Sequence, residues 1–75
     1  MLKVKDTSRL KAFGFSFDAD VKDFVKHIVD INNNYATIFV NSVNGKMYVC
    51  GDASNELLET IFDLQAANII ERVPG

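Results

Sequence analysis

The chain has 75 residues, of which 48% are hydrophobic and 24% are charged, and its formal net charge is −2. This length fits one small domain, and the apolar content is high enough for a folded core, which argues against disorder. The acidic balance, with a pI near 5.1, argues against a nucleic-acid partner, because such binding depends largely on neutralising phosphates.

Several features predict a cytoplasmic protein without a membrane segment, a metal or a cofactor. The single cysteine, Cys50, excludes an intrachain disulfide and suits a reducing compartment. The apolar runs are shorter than the roughly 20 residues that cross a bilayer, and residues 1–5 lack the apolar stretch of a signal peptide. Cys50 and the lone His27 are the only soft metal ligands, and they lack metal-binding spacing.

The first predicted elements are an N-terminal arm and a strand. In residues 1–12, Asp6 and the two residues after it could cap a single helical turn, or the segment could be a loose arm. Residues 13–17 alternate between phenylalanine and small residues (FGFSF). This period of two predicts a strand with its phenylalanine side toward the core.

Residues 21–29 are predicted to form a helix. Apolar residues recur at the i, i+3, i+4, i+7, i+8 spacing of a buried helical stripe, at Val21, Phe24, Val25, Ile28 and Val29. The abundance of valine and isoleucine also suits a strand, but alternation would then mix Asp23 and His27 with valines. We therefore interpret the segment as a helix, capped by Asp18 or Asp20.

The clearest local signal predicts a β-hairpin over residues 35–51. Asn44-Gly45 favours a two-residue type I′ turn between strands 35–43 and 46–51, which would set Phe39 opposite Cys50. Alternation then divides the side chains between two faces. One face carries Ile38, Val40, Met47 and Val49, and the other carries Tyr35, Thr37, Phe39, Asn41, Tyr48 and Cys50.

The last predicted elements are a second helix and a short strand. Asp52 or Ser54 is expected to cap a helix with an apolar side of Leu57, Leu58, Ile61, Phe62 and Leu64. Residues 69–73 are rich in β-branched side chains and predict a final strand. The 75 residues then form one α+β domain, an open-faced β-sandwich in βαββαβ order, whose mainly antiparallel four-stranded sheet carries two helices on one face.

This order resembles the histidine-containing phosphocarrier (HPr-like) proteins of bacterial sugar transport. The likeness includes residues 17–25 (FDADVKDFV), residues 45–49 (GKMYV) and Ser54 at the head of a short helix. In that family a phosphorylated histidine opens the first helix, whereas this chain has Ala19 and Asp20 there. The resemblance therefore implies a shared fold in a bacterial protein without phosphoryl transfer, and it places Ser54 near the family's regulatory serine.

Each group with potential chemistry has a simpler interpretation, which we favour, and no catalytic residue is predicted. His27 is expected to be exposed on a polar helix face. Cys50, in the middle of a strand, is expected to be an inert apolar filler rather than a nucleophile. Capping accounts for Ser54, and the acidic side chains of the second helix are expected to form a solvated face.

The sheet face that two helices leave uncovered is the most informative prediction. Tyr35, Phe39, Tyr48 and Cys50 would lie there, and a contiguous exposed apolar area usually marks a contact surface. Two interpretations stay open. Either this face binds a partner, or residues 1–12 fold over it.

Three functions follow from these expectations. We favour a non-enzymatic protein-interaction or regulatory module, with a homodimer through the uncovered face as one form that it could take. The second is a degenerate phosphocarrier-like regulator that lacks the phosphorylated histidine and uses Ser54. The third is single-stranded RNA binding by stacking on the exposed rings, but residues 46–50 (KMYVC) lack the pattern typical of RNA-recognition motifs.

Overall fold

The protein is built from six strands, a 3-10 helix and an α-helix, and the computed structural model describes residues 1–74. In chain order the elements are β1 (Leu2–Val4), the 3-10 helix (Thr7–Phe13), β2 (Ser16–Asp18), β3 (Asp23–Val29), β4 (Tyr35–Asn41), β5 (Met47–Gly51), α1 (Asn55–Ala66) and β6 (Ile70–Arg72). These elements confirm the predicted α+β class. Gly75, which the predicted domain includes, lies outside the described residues.

The strands form two antiparallel sheets. β2, β3, β4 and β5 lie side by side in chain order as a four-stranded sheet, and β1 pairs with β6. The two sheets meet at the β4–β5 hairpin, where the backbone N–H of Val4 donates to the carbonyl oxygen of Gly45 at 2.7 Å. Lys3 also forms an antiparallel bridge with Lys46. The hairpin therefore contacts the small sheet through β1, and β6 is joined to it by pairing with β1.

The predicted helix over residues 21–29 is wrong, because β3 is an extended strand that pairs along its whole length with β4. Alternation places Phe24, Lys26 and Ile28 toward the core and Val25, His27 and Val29 on the opposite side. Both sides of this strand carry apolar residues, and taken together along the sequence these residues have the spacing that is typical of one face of a helix. The first of the two predicted covering helices is therefore replaced by a strand of the sheet itself.

The predicted hairpin is confirmed, but its register differs by two residues. Phe39 lies opposite Tyr48 rather than Cys50. The loop is longer than predicted because Asn41 Oδ1 accepts the N–H groups of residues 43 and 44, at 2.9 and 3.0 Å. A type I′ turn needs positive φ at both central residues, and only Gly45 of the predicted pair has it. Since the difference is an even number, every side chain keeps its predicted face.

The phenylalanine-rich segment 13–17 forms only part of the predicted strand. The chain leaves the 3-10 helix through Gly14, whose φ of +87° is left-handed, and β2 begins two residues later. Phe15 is buried, whereas Phe17 is exposed on the edge strand and packs edge to face against Phe24, with ring centroids 5.3 Å apart. The predicted core position is therefore correct for Phe15 and wrong for Phe17.

Residues 1–12 form part of the core rather than a loose arm. Asp6 caps the 3-10 helix, because its side chain accepts the backbone N–H of Ser8 at 3.1 Å. Val4 and Leu10 are both buried. The complete buried cluster is Val4, Leu10, Phe15, Ile28, Ala36, Ile38, Val40, Met47, Leu57, Leu64, Ile69 and Ile70.

The second predicted helix and the final strand are confirmed as α1 and β6. Ser54 caps α1, and the buried residues Leu57 and Leu64 face the core. Leu58 and Phe62 belong to the predicted apolar side, yet they are exposed on the outer surface of the helix. β6 pairs with β1 and does not enter the four-stranded sheet.

Candidate protein-interaction face

One side of the four-stranded sheet is covered by the two helical elements. Leu10 of the 3-10 helix and Leu57 and Leu64 of α1 share one core with Ile38 and Val40 of β4. We call the opposite side of this sheet the open face. Alternation gives it the side chains of Ser16, Asp18, Asp23, Val25, His27, Val29, Tyr35, Thr37, Phe39, Asn41, Tyr48 and Cys50.

The strand register arranges the open face in four rows across the strands. In order along the strands, the rows are Asp18–Asp23–Asn41, Ser16–Val25–Phe39–Tyr48, His27–Thr37–Cys50 and Val29–Tyr35. Directly opposite residues in adjacent strands have Cβ atoms about 5 Å apart, so each row is a continuous strip. Two apolar strips therefore flank a polar strip, and one end of the face is acidic.

The aromatic side chains of the open face are accessible to solvent. Tyr35 is 64% exposed and Tyr48 is 50% exposed, while Phe39, directly opposite Tyr48, is half-buried. The alternative in which residues 1–12 cover this face is wrong, because the buried side chains of that segment join the core on the other side of the sheet. The rings are therefore available for contact with another molecule.

All four predicted interaction residues lie together on two adjacent strands. Tyr35 and Phe39 belong to β4, and Tyr48 and Cys50 belong to β5. Cys50 is an exposed free thiol opposite Thr37. The structure thus gives these side chains one common surface, and their role in binding stays a prediction.

Ser54, the predicted regulatory residue, lies apart from the open face at the start of α1. Its Oγ accepts the backbone N–H of Leu57 at 3.1 Å, which satisfies one of the amide groups that the first turn of a helix leaves unpaired. The structure assigns Ser54 a capping role, and a regulatory role stays a prediction.

The helix prediction for residues 21–29 missed four residues of the open face. They are Asp23, Val25, His27 and Val29, and they connect the edge strand β2 to the side chains on β4. His27 is exposed, and its Nδ1 lies 3.0 Å from Thr37 Oγ1 in a hydrogen bond. The high content of β-branched residues in this segment was the sequence signal for a strand.

Charges are unevenly distributed along the end row of the open face. Asp18 and Asp23 lie directly opposite each other on β2 and β3, an arrangement of like charges that destabilises a sheet. At the other end of the row the N–H of Asn41 donates to the carbonyl oxygen of Lys46 at 3.0 Å. Alternation places Lys46 on the same face as Tyr48. The row therefore runs from two carboxylates to one cation.

The relief of the open face also differs between its two edges. A shallow hollow of about 540 Å³ lies at the β2 edge and is lined in part by Gly14, Ser16 and Val25. The β5 edge carries the large side chain of Tyr48. The face is therefore low along one edge and raised along the other.

No family model, curated protein or solved structure matches this chain. The resemblance to phosphocarrier proteins therefore stays a prediction, and β3 occupies the place of the helix at which that family carries its histidine. In the described part of the chain, no helix is both long and apolar enough to cross a bilayer. Residues 1–74 also contain no group of three or more His, Cys, Asp or Glu that could hold a metal ion.

Proposed function

We propose that this protein is a non-enzymatic interaction module that binds protein through the open face. The observation that carries the proposal is the exposure of Tyr35 and Tyr48 on one sheet surface, with Phe39 directly opposite Tyr48. Tyrosine is favoured in interfaces because its ring is rigid and apolar while its hydroxyl still forms hydrogen bonds. A surface of this kind gains free energy when a partner removes it from water.

The other side chains with potential chemistry support binding rather than catalysis. The His27 ring hydrogen-bonds Thr37 on an exposed strand surface, and Cys50 is exposed near the end of β5. Acid–base and nucleophilic groups act efficiently when a cleft excludes water and shifts their pKa values. A sheet surface with two apolar strips instead fits the contact area of a protein interface.

Single-stranded RNA is the second candidate ligand, because exposed rings on a four-stranded antiparallel sheet also suit base stacking. The charges favour protein over RNA. Asp18 and Asp23 line one end of the open face, the whole chain carries a net charge of −2, and carboxylates repel the phosphates that dominate RNA affinity.

The proposal is tested by capturing proteins from the source cells with a tagged form of this chain. An untagged copy of the chain is present, so that capture of the chain itself is also detected. The test variant is Tyr35→Ala/Tyr48→Ala, and the matched control is Phe62→Ala, which removes an equally exposed ring from α1. We expect the wild type and the control to retain the same proteins and the double variant to lose them. Retention of every captured protein by the double variant contradicts the proposal, and face-dependent capture of RNA alone assigns the second candidate.

A further inference from the structure

We propose that the occupant of the open face is a second copy of this chain, related to the first by a two-fold axis. The axis lies between the two packed sheets, runs parallel to their strands and passes midway between β3 and β4. This inference rests on the proposed protein-binding role of the open face. Two-fold dimers are the commonest homo-oligomers, and their symmetry makes one self-complementary patch serve both copies.

Such an axis keeps each row of the open face level with the same row of the second copy and reverses the order of the strands. β3 then lies over β4 of the second copy, and β2 lies over its β5. Val25 packs against Phe39 of the second copy, and Val29 packs against its Tyr35. Each apolar strip therefore meets an apolar strip, at the separation of about 10 Å and within the angle of about 30° that packed sheets adopt.

The same axis brings opposite charges together at the end row. Asp18 and Asp23 of one copy face Lys46 of the other, and symmetry repeats the contact on the opposite edge. Within one chain, the Asp18–Asp23 pairing is unfavourable. A cation supplied by a second copy offsets that repulsion, and complementary charges of this kind also select the orientation in which two surfaces dock.

The relief of the two edges is complementary in the same arrangement. The raised β5 edge of one copy lies over the low β2 edge of the other, so the Tyr48 ring enters the hollow lined by Gly14, Ser16 and Val25. The hollow has a volume of about 540 Å³ and is open to solvent, so it has room for one phenol ring. The dimer contains this contact twice.

An axis perpendicular to the strands gives a poorer fit, because it reverses the order of the rows. Asp23 would then stack on Val29 of the second copy, and Asn41 would stack on its Tyr35. Burying a carboxylate against apolar side chains without a hydrogen-bond partner is costly. The pairing of strips and charges therefore favours the axis parallel to the strands.

The area of the open face predicts a dimer that dissociates readily. Four strands about 4.8 Å apart and up to seven residues long, at about 3.3 Å per residue, give a surface of about 19 by 23 Å. A flat outline of this size is small for a standard stable interface, in which each partner buries roughly 800 Å² of accessible surface. We therefore expect a dissociation constant in the micromolar range or weaker.

Sedimentation equilibrium of the wild type and of two charge variants tests this arrangement. In Asp18→Lys/Asp23→Lys, the two new lysines of one copy face Lys46 of the other copy. In Lys46→Glu, the new glutamate of one copy faces Asp18 and Asp23 of the other. Each variant therefore repels an identical copy. We expect each variant alone to dimerise at least about tenfold more weakly than the wild type. An equimolar mixture restores a dimer of near wild-type affinity, because both end rows are complementary in the mixed pair.

Matched controls reverse charges outside the open face, with Glu59→Lys/Asp63→Lys on α1 and Lys11→Glu on the 3-10 helix. Both controls are expected to dimerise like the wild type. Should the double aspartate variant fail to fold, isotope-filtered NMR of the wild type provides the decisive measurement, since it detects contacts between Val25 methyls of one copy and the Phe39 ring of the other.

Two results overturn the inference. A wild type that stays monomeric up to about 1 mM excludes a second copy as the occupant, while the capture experiment separately decides whether the open face binds another protein. A wild-type dimer whose charge variants both self-associate as tightly as the wild type excludes the axis parallel to the strands.

Discussion

A β-carbon on Gly51 would clash with the carbonyl oxygen of Tyr35, so a side chain fits at this position only if the backbone shifts. The same carbonyl accepts the backbone N–H of Asp52 at 2.8 Å, so the end of β5 is held against the start of β4. Gly51 also has a φ of +108°, which L side chains rarely adopt. This glycine thus allows the close approach that sets the Tyr35 end of the open face.

Gly51→Ala is expected to lower the free energy of unfolding by about 2 kcal/mol or more, because it adds a backbone clash to an unfavourable φ. Gly14→Ala is the matched control. Its φ is also positive, but the nearest atom to an added β-carbon is Lys26 Nζ at 3.0 Å, the end of a long side chain rather than backbone. Urea unfolding measures both variants, and an equal loss in the two would show that the contact with Tyr35 is unimportant.

Ser54→Ala is expected to cost about 1 kcal/mol, because it removes the oxygen that accepts the Leu57 amide at the start of α1. In a domain of this size that loss lowers the melting temperature by about 4–8 °C. Ser54→Asp retains an acceptor and adds a negative charge at the positive end of the helix dipole, so it is expected to stay close to the wild type. A substantial loss in Ser54→Asp would contradict the capping role.

Asp30 is expected to give the fold a pH-dependent contribution to stability. Its carboxylate accepts hydrogen bonds from Asn34 Nδ2 at 2.9 Å and from the backbone N–H groups of Asn34 and Asn32, both at 2.8 Å. The Asn34 side chain, followed by the Asn34 amide, holds the pKa of this carboxyl below its usual value. A lowered folded-state pKa stabilises the fold above the unfolded value and loses that effect as the pH falls through the folded value.

The measurement is the free energy of unfolding of the wild type and of Asp30→Asn between pH 7 and pH 2.5. We expect the wild type to be the more stable at neutral pH and the difference to shrink below about pH 4, near the unfolded pKa of aspartate. A difference that stays constant down to the lowest pH would exclude the linkage.

Local signals in the sequence were sufficient for α1 and for the hairpin. A capping serine followed by apolar residues at helical spacing predicts α1, and Asn44-Gly45 between two β-branched runs predicts a reversal of the chain. The division of the hairpin side chains into two faces depends only on alternation, so it remained correct when the register changed by two residues. The prediction of Tyr35, Phe39 and Tyr48 as one surface depended on that property.

The strand character of β3 depends on tertiary contacts that local spacing does not reveal. Lys26 lies on the core side of this strand, where its Nζ donates to the carbonyl oxygen of Phe13 at 2.5 Å. On the other side, valines alternate with His27 because the open face itself contains apolar strips. Neither side is purely apolar or polar, and the alternation that identifies a half-buried strand is therefore hidden.

The longer hairpin loop has a similar cause. The side chain of Asn41 binds two amides of the loop, and the carbonyl oxygen of Gly45 accepts the N–H of Val4 from β1. A contact between segments so far apart in the chain is decided by the packing of the whole domain. The Asn44-Gly45 pair alone therefore could not predict the register of the turn.

Quenching of tyrosine fluorescence by acrylamide tests most directly whether the open face is buried by a second copy. The chain has no tryptophan, and both of its tyrosines, Tyr35 and Tyr48, lie on the open face, so the intrinsic emission reports on this surface without any substitution. We predict that the quenching constant falls as the protein concentration rises from about 1 μM to about 1 mM, because association shields the rings. A quenching constant that stays the same over this whole range would contradict the account.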